Sequence, residues 1–242
     1  IRVDANAFHT FCRGLAKPFD DIIATTMQQT MVALCKELPT CKLGYTQSDE
    51  ITLVCIIDDV AKTEGLYKYR AQKIISLVAA KATKYFNKFF FENVQKLEKN
   101  PDAFKNVVGL KTYKKKLFEA TFDCRVMNIP EWDIINNLIW RQQDATRNSI
   151  QMLGQANYSQ KELDKKTCSE IMDMLMLEKK INWNNLEVYK KRGCCCYRVE
   201  VEGKKRPQWY LDLNMPILTE PIARQDFTKI MFKDLKSPPL NL

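Results

Sequence analysis

Two β-prone runs that flank a short acidic segment constrain the fold of this chain more than any other sequence feature. The runs cover residues 41–44 and 51–57, and the segment between them, Tyr45-Thr46-Gln47-Ser48-Asp49-Glu50, ends in two adjacent carboxylates. This pattern predicts a β-hairpin with Asp49 and Glu50 at its tip, where a buried strand begins. Carboxylates crowded at such a tip repel each other unless a cation neutralises them.

A third acidic residue is predicted to lie near these two carboxylates. Asp4 ends the first apolar run of the chain, and a helical period of apolar residues follows over residues 17–38. Pro18 is expected in the first turn of that helix. Strand, helix and hairpin in this order are typical of a split βαβ unit, in which the end of the first strand can lie beside the hairpin tip. We therefore expect Asp4 and Asp49 to share a divalent metal ion.

The rest of the chain alternates further helices and strands. A long helix is predicted over about residues 66–97, with Arg70 and Lys73 on one face of its first turns, where they would either contact a triphosphate or face solvent. The other predicted elements are a cation-rich loop at 111–116, a strand at 118–127, a helix from Pro130, a helix at 168–179, strands at 194–201 and 208–213, and a loose tail at 237–242. Antiparallel strands with flanking helices make an α+β fold. We divide it into a core of residues 1–150 and a helical and hairpin extension of residues 151–242, packed on the core as one continuous domain.

Composition narrows the function classes. The 242 residues carry a net charge of +9 and one histidine, which fits an anionic partner such as nucleic acid or nucleotide, or a soluble basic protein without such a partner. The nine cysteines are odd in number and clumped at 194–196, so they fit neither a secreted disulfide framework nor a zinc site. We expect reduced thiols in a cytoplasm. No apolar run is long enough to span a bilayer, so no membrane partner is expected.

Seven segments follow one another in a characteristic order. They are Asp4-Ala5-Asn6-Ala7-Phe8-His9-Thr10-Phe11, Lys17-Pro18-Phe19-Asp20, Tyr45-Thr46-Gln47-Ser48-Asp49-Glu50, Arg70-Ala71-Gln72-Lys73, Phe122-Asp123-Cys124-Arg125-Val126, Trp140-Arg141-Gln142-Gln143-Asp144 and Tyr189-Lys190-Lys191-Arg192-Gly193. Together they resemble the tRNA-His guanylyltransferase family and its guanylyltransferase-like relatives. The resemblance runs over most of the chain and is densest in the first 150 residues.

This resemblance implies a polymerase-palm-like core and an enzyme that adds nucleotides to the 5′ end of tRNA in the 3′–5′ direction with two Mg²⁺ ions. Asp4, Asp49 and the carbonyl of Ala5 would bind both metal ions, and Glu50 would support the catalytic site. ATP, or GTP in its place, would activate the 5′-monophosphate of the tRNA. The 3′-hydroxyl of the incoming nucleotide then attacks the activated end. Relatives of this kind assemble as homotetramers, with the tRNA lying across more than one subunit.

The resemblance also implies the binding residues. Nucleotide contacts are expected at Asn6, Ala7, Phe8, His9, Lys17, Ser48, Arg70 and Lys73. Contacts with tRNA are expected at Arg141, Asn148, Lys190 and Arg192. Without the resemblance, the single histidine between Phe8 and Thr10 would be interpreted as a structural residue with satisfied hydrogen bonds.

The chain departs from the family pattern at two places. Relatives usually have glycine where this chain has Ala5, and a methyl group there would penalise positive φ and crowd a nucleotide. Residues 146–152 replace the His-Ile-Asn-Asn-Leu-Tyr-Asn run of strict tRNA-His guanylyltransferases. The second departure favours the guanylyltransferase-like branch, which repairs 5′-truncated tRNA by copying the opposite strand. The alternatives are strict addition of one guanylate to tRNA-His and a non-catalytic RNA-binding protein.

Overall fold

The structure, a computed structural model, describes residues 1–57 and 64–232, so the predicted tail at 237–242 lies outside the described residues. Six strands in these two ranges form one sheet, in which all neighbouring strands are antiparallel. They are β1 (Arg2–Ala5), β2 (Cys41–Gln47), β3 (Glu50–Cys55), β4 (Phe122–Arg125), β5 (Cys194–Val199) and β6 (Gln208–Asp212). The order across the sheet is β4-β1-β3-β2-β5-β6.

Helices connect and cover these strands. They are α1 (Phe8–Phe11), α2 (Asp21–Glu37), α3 (Ala71–Lys99), α4 (Leu110–Lys114), α5 (Glu131–Asn157), α6 (Gln160–Leu163), α7 (Cys168–Lys179), α8 (Val188–Arg192) and α9 (Pro221–Phe232). Because α2 links β1 to β2 and α3 links β3 to β4, the first four strands form two interleaved βαβ units. The predicted palm-like α+β fold is confirmed. The β2–β3 hairpin connects the two units, and helices lie on both faces of the sheet.

Different helices cover the two faces of the sheet. On the first face, Val3 of β1 and Ile51 of β3 pack with buried residues of α2 and α3, such as Phe86. On the second face, Tyr45 of β2 packs with Leu138 of α5 and with buried residues of α9. Since neighbouring residues of a strand point to opposite faces, the central strands contribute to both cores.

The helix α2 begins later than predicted. Asp20 is its N-cap, and the Asp20 carboxylate accepts hydrogen bonds from the backbone N–H groups of Ile22 at 3.1 Å and Ile23 at 3.2 Å. An aspartate in this position satisfies N–H groups that have no partner within the helix. Pro18 therefore precedes the cap and does not stand in the first turn.

Three other predicted boundaries were wrong. The long helix α3 begins at Ala71, after a 3-10 turn at Leu66–Tyr69, and Arg70 is its N-cap, so Arg70 does not share a helical face with Lys73. The cation-rich loop at 111–116 is helical over its first part, in α4. The strand predicted at 118–127 is limited to β4, because only these four residues pair with β1.

The C-terminal part of the chain belongs to the same sheet. The predicted helix at 168–179 is confirmed as α7. The predicted division between residues 150 and 151 falls within α5, and β5 and β6 continue the sheet beyond β2. None of the helices in the described ranges combines the length and the apolar character needed to cross a membrane. All nine cysteines are free thiols.

Candidate active site

Three carboxylates form a row across neighbouring strands at one end of the sheet. The register pairs Asp4 of β1 with Glu50 of β3 and with Asp123 of β4. Directly opposed residues point to the same face, so the three side chains share the second face. The backbone N–H of Ala5 donates to the carbonyl of Asp49 at 3.2 Å and fixes the end of β1 against the hairpin turn. The structure thus brings Asp4 and Asp49 together.

The surroundings raise the pKa of both aspartates. For Asp4, burial is the main cause, the charge of Asp49 and the other nearby carboxylates raise the pKa further, and Arg125 lowers it. Burial also raises the pKa of Asp49, against the effect of a hydrogen bond from the Ser48 side chain. Because these carboxylates repel one another, a cation placed between them would be attracted by several negative charges.

Arg141 holds Glu50 in place from α5. Its Nη2 atom lies 2.9 Å from Glu50 Oε2 and 2.5 Å from Asp144 Oδ2, and the side chain is only 5% exposed. Gln47 Nε2 donates to the same Glu50 oxygen at 3.2 Å. A guanidinium group with this burial has no free surface for a nucleic acid. The predicted tRNA contact of Arg141 therefore does not fit the structure, and its contacts make it a positioning residue for Glu50.

The other predicted tRNA-binding residues lie in two places. Asn148 donates from Nδ2 to Asp144 Oδ2 at 3.4 Å, on the same helix as Arg141. Lys190 Nζ lies 3.4 Å from Asp21 Oδ1 with its side chain 12% exposed, so it ties α8 to the start of α2. Arg192 is half-buried beside the hairpin, and burial lowers the pKa of its guanidinium group.

Most of the predicted nucleotide-binding residues lie in the segment after β1, which includes the short helix α1, or in the turn between β2 and β3. The exposed ones are Asn6, Ala7, His9, Lys17 and Ser48. Phe8 is buried and stacks on Phe11 with ring centroids 5.4 Å apart, so only its backbone can face a nucleotide. Because His9 is exposed, it is not a buried structural histidine.

Ala5 does not crowd this site. It lies in the extended strand β1, and its side chain is buried in the first core with Val3, away from the carboxylate row. Left-handed φ values of 49° occur at Ala7 and Ser48, on either side of the row, but not at Ala5. The expected strain and crowding from an alanine at this position are therefore absent.

Arg70 and Lys73 are not part of this cluster. The hydroxyl of Thr83 accepts a hydrogen bond from the N–H of Phe122 at 3.1 Å, so α3 reaches the carboxylate end of β4 at Thr83. Lys73 lies ten residues earlier, about 15 Å along the helix axis. The neighbouring Ile74 instead lines a cavity at the opposite end of the sheet. Within one chain, the two cations do not reach the carboxylates.

No role was predicted from the sequence for Asp123, Arg125 or Arg2. Asp123 and Arg125 alternate with apolar residues in β4, which was a signal that they share one face. Their position beside Asp4 depends on the pairing of β4 with β1. Arg125 Nη2 lies 3.5 Å from Asp123 Oδ2 and 3.9 Å from Asp4 Oδ2, and Asp123 Oδ1 is buried without a hydrogen-bond partner.

The donor atoms at Asp4 and Asp49 fit magnesium. Carboxylate and carbonyl oxygens are the ligands that this ion prefers, and it is usually bound by one or two carboxylates together with substrate phosphates. In the part of the chain that the structure describes, no three His, Cys, Asp or Glu side chains converge as a metal-binding group. A site of two aspartates that is completed by a substrate is consistent with both observations.

Comparisons with known proteins identify the family of this chain. The family model for tRNAHis guanylyltransferase matches residues 1–130. A bacterial tRNA(His) guanylyltransferase-like protein in complex with ATP is 35% identical to this chain and superimposes with a TM-score of 0.77. The alignment covers 96% of this chain and 89% of the bacterial protein. A bacterial protein of the same description in complex with GTP is 32% identical, with coverage of 96% and 88% and a TM-score of 0.73.

A curated plant relative extends the comparison. The tRNA(His) guanylyltransferase 1 of Arabidopsis thaliana is 26% identical over 214 residues, which cover 84% of this chain and 34% of the plant protein. The chain thus spans about a third of the length of that relative. The family match covers more than half of the chain and includes the hairpin and the carboxylate row. The chain therefore belongs to the tRNA(His) guanylyltransferase family and is a nucleotidyltransferase.

Proposed function

We propose that this protein is a Mg²⁺-dependent 3′–5′ nucleotidyltransferase that repairs 5′-truncated tRNA by copying the opposite strand. The observation that carries this proposal is the approach of Asp4 and Asp49 at the open end of a palm-like sheet. Family membership supports tRNA as the substrate. The ATP and GTP complexes of the bacterial guanylyltransferase-like proteins support nucleoside triphosphates as co-substrates.

Asp4, Asp49 and the carbonyl of Ala5 would hold two Mg²⁺ ions. Bound there, the ions would neutralise triphosphate charge and lower the pKa of an attacking hydroxyl group. Glu50 is fixed by Arg141 and Gln47, so it contributes a negative charge of defined position beside the site.

The exposed loop residues would bind the triphosphates. Asn6, Ala7, Phe8, His9 and Lys17 belong to the segment that follows Asp4 and β1, and Ser48 precedes Asp49 in the hairpin turn. His9 and Lys17 supply donors that suit phosphate oxygens. Arg70 and Lys73 lie too far away in the same chain, so they would reach a triphosphate only from another subunit of the proposed homotetramer.

Residues 146–152 favour repair over strict guanylate addition. In strict enzymes of the family this position has the His-Ile-Asn-Asn-Leu-Tyr-Asn run. Here Thr146 donates its hydroxyl to the carbonyl of Gln142 at 2.9 Å, and Ser149 accepts a hydrogen bond from Trp183 Nε1 at 3.0 Å. Both side chains are therefore engaged within the protein, Thr146 by the backbone of α5 and Ser149 by the turn at Trp183–Asn185.

An extension assay tests the proposal. The protein is incubated with 5′-truncated tRNA, ATP, all four nucleoside triphosphates and Mg²⁺, and the RNA should grow from its 5′ end. Asp49→Ala should lower extension by at least about 10³-fold, since metal stabilisation of several kcal/mol is lost at 1.36 kcal/mol per decade. Asp173→Ala, an exposed acid on α7, is the matched control and should extend normally.

Additional substrates separate the alternatives. Extension of intact tRNA-His by one guanylate, with no extension of truncated tRNAs of other identities, would show strict guanylate addition. Binding of tRNA without Mg²⁺-dependent nucleotide binding would show a non-catalytic RNA-binding protein. Undiminished extension by Asp49→Ala would remove the proposed role of the carboxylates.

A further inference from the structure

The second face of the sheet is partly exposed at β4. The helix α5 packs over β2, β3 and β5, with Leu138 in the second core beside Tyr45. Among the described residues, the second core contains none from β1 or β4, the two strands at the other side of the sheet, and α5 approaches β1 at Trp140 and Arg2. On these strands Asp123 and Arg125 have side chains that are 43% and 61% exposed. The open surface therefore begins at the carboxylate row and has α5 along one side.

Trp140 stands at the border of this surface. It is 57% exposed, although a large aromatic side chain is usually well buried. Its ring lies 5.8 Å from the guanidinium carbon of Arg2 and 4.7 Å from that of Arg141. Arg141 in turn binds Glu50 of the carboxylate row. The indole is therefore held next to the proposed active site with much of its surface free.

A second row on the same surface is cationic. Arg2 and Arg125 are register partners on β1 and β4, two residues along each strand from Asp4 and Asp123. This offset corresponds to about 7 Å. No carboxylate of the described residues lies within ion-pair distance of Arg2, and Arg125 has only the two long contacts described above. The guanidinium group of Arg125 is largely exposed and available to an anionic partner, whereas Arg2 is half-buried beside Trp140.

We propose that Trp140, Arg2 and Arg125, here called the Trp140 platform, bind the 5′-terminal nucleotide of the RNA, with its base stacked on the indole. An exposed aromatic ring that is flanked by arginines suits a nucleobase with its phosphates. The adjoining carboxylate row is where the 5′ phosphate would react. This inference rests on the proposed function, because it places the RNA end that the enzyme extends.

Binding measurements test the platform without relying on catalysis. The probe is a hairpin RNA with a 5′-monophosphate, prepared with a normal or an abasic 5′-terminal nucleotide. Trp140→Ala should weaken binding of the normal RNA by about 5- to 150-fold, the range for loss of one stacked base. The same substitution should change binding of the abasic RNA by less than about 2-fold. Trp140→Phe should retain most of the affinity, because an aromatic ring remains.

Trp132→Ala is the matched control, because Trp132 is 76% exposed two turns earlier on the same helix. It should bind both RNAs like the wild type. Equal losses on the normal and the abasic RNA, the same loss in Trp132→Ala, or no loss in Trp140→Ala would overturn the proposal. So would dissociation of a homo-oligomer by Trp140→Ala in sedimentation, since a second copy of this chain would then cover the indole.

The outcome of the extension assay is independent of these binding measurements. A wild-type protein that shows base-dependent binding through Trp140 but extends no RNA would retain the platform and contradict the polymerase function. A wild-type protein that extends truncated tRNA but binds both probes with equal affinity would retain the polymerase function and contradict the platform.

Discussion

Asp49 and Glu50 are adjacent in the chain, yet the fold gives them different surroundings. Glu50 is held by Arg141 and Gln47. Asp49 has no lysine or arginine of the described residues within ion-pair distance, and burial raises its pKa. The negative charge of Glu50 is therefore compensated within the protein, whereas that of Asp49 is left for a cation from solution.

Magnesium should stabilise the folded protein through Asp49. A ligand that binds only the folded state raises the free energy of unfolding, by about 1.4 kcal/mol at ten times its Kd. We expect this rise for the wild type and for Asp173→Asn, and a much smaller one for Asp49→Asn. Urea unfolding with and without Mg²⁺ measures it. An equal rise in all three proteins would show that the ion binds elsewhere.

Removing Arg141 should destabilise the protein. Arg141→Ala leaves Glu50 without its buried partner, and breaking such a pair costs about 3 kcal/mol. Arg147→Ala removes an exposed arginine from the same helix and should change the free energy of unfolding by less than about 0.5 kcal/mol. Urea unfolding of both variants provides the comparison. Similar values for the two would contradict the positioning role of Arg141.

At the scale of residues, the sequence predicted the positions of Asp4 and Asp49 better than those of the residues around them. Asp4 and Asp49 follow from local patterns, because a strand end and a hairpin tip can each be recognised over a few residues. Asp123 and Arg141 reach the site through pairing of distant segments, which no local pattern contains. The burial of Arg141 was also missed, since its polar neighbours on α5 favour a surface position.

At the scale of elements, the β2–β3 hairpin packs closely against α8. Gly193, between α8 and β5, has φ 80° and ψ −176°, a conformation almost restricted to glycine. A Cβ atom there would lie 2.6 Å from Tyr45 Oη and 2.7 Å from the Thr46 carbonyl oxygen. The same Tyr45 hydroxyl donates to the Arg192 carbonyl at 2.7 Å. The glycine thus allows α8 to approach β2 closely.

Two glycine substitutions separate strain from crowding. Gly193→Ala should lower the free energy of unfolding by about 2–4 kcal/mol, from the disfavoured φ and the steric overlap together. Gly203→Ala has a similar φ of 76° but no atom within 4 Å of the new Cβ, so it should cost about 1 kcal/mol. Thermal or urea unfolding measures the difference. Equal costs would contradict the close packing at Gly193.

Element existence was predictable, whereas element ends were not. The hydrophobic period identified α2 and α3, but Asp20 moved the start of α2 by capping it, and a 3-10 turn delayed α3. Both effects depend on specific backbone hydrogen bonds, to which a hydrophobic period is not sensitive. The distance of Arg70 and Lys73 from the carboxylates has another cause, because they lie at the end of α3 that is remote from Thr83 and β4.

At the scale of the whole molecule, the C-terminal part completes the sheet and the second core. Cys195 and Tyr197 of β5 pack with Leu43 and Tyr45 of β2, and α9 covers the same core. The strand order that places β1 and β4 outside the second core could not be derived from hydropathy, because it depends on which distant segments pair. The positive net charge of +9 also says little about an active site that is locally acidic.

A fragment of residues 1–150 should not fold cooperatively. It ends within α5 and lacks β5, β6 and α9, so the second core would lose residues such as Cys195, Tyr197 and Phe227 and expose the apolar side chains that they cover. Residues 1–232 retain all the described elements and should show one cooperative thermal transition by circular dichroism. A cooperative transition of the shorter fragment at a similar temperature would contradict a shared core.

The central claim is that Asp4 and Asp49 hold the metal ions that drive nucleotide addition. A crystal soaked with Mn²⁺ and a nucleoside triphosphate tests it most directly, because anomalous scattering locates the metal independently of activity. We predict manganese bound by the Asp4 and Asp49 carboxylates and the Ala5 carbonyl, with triphosphate oxygens completing the coordination. Manganese bound to the triphosphate without contact to either aspartate would contradict the account.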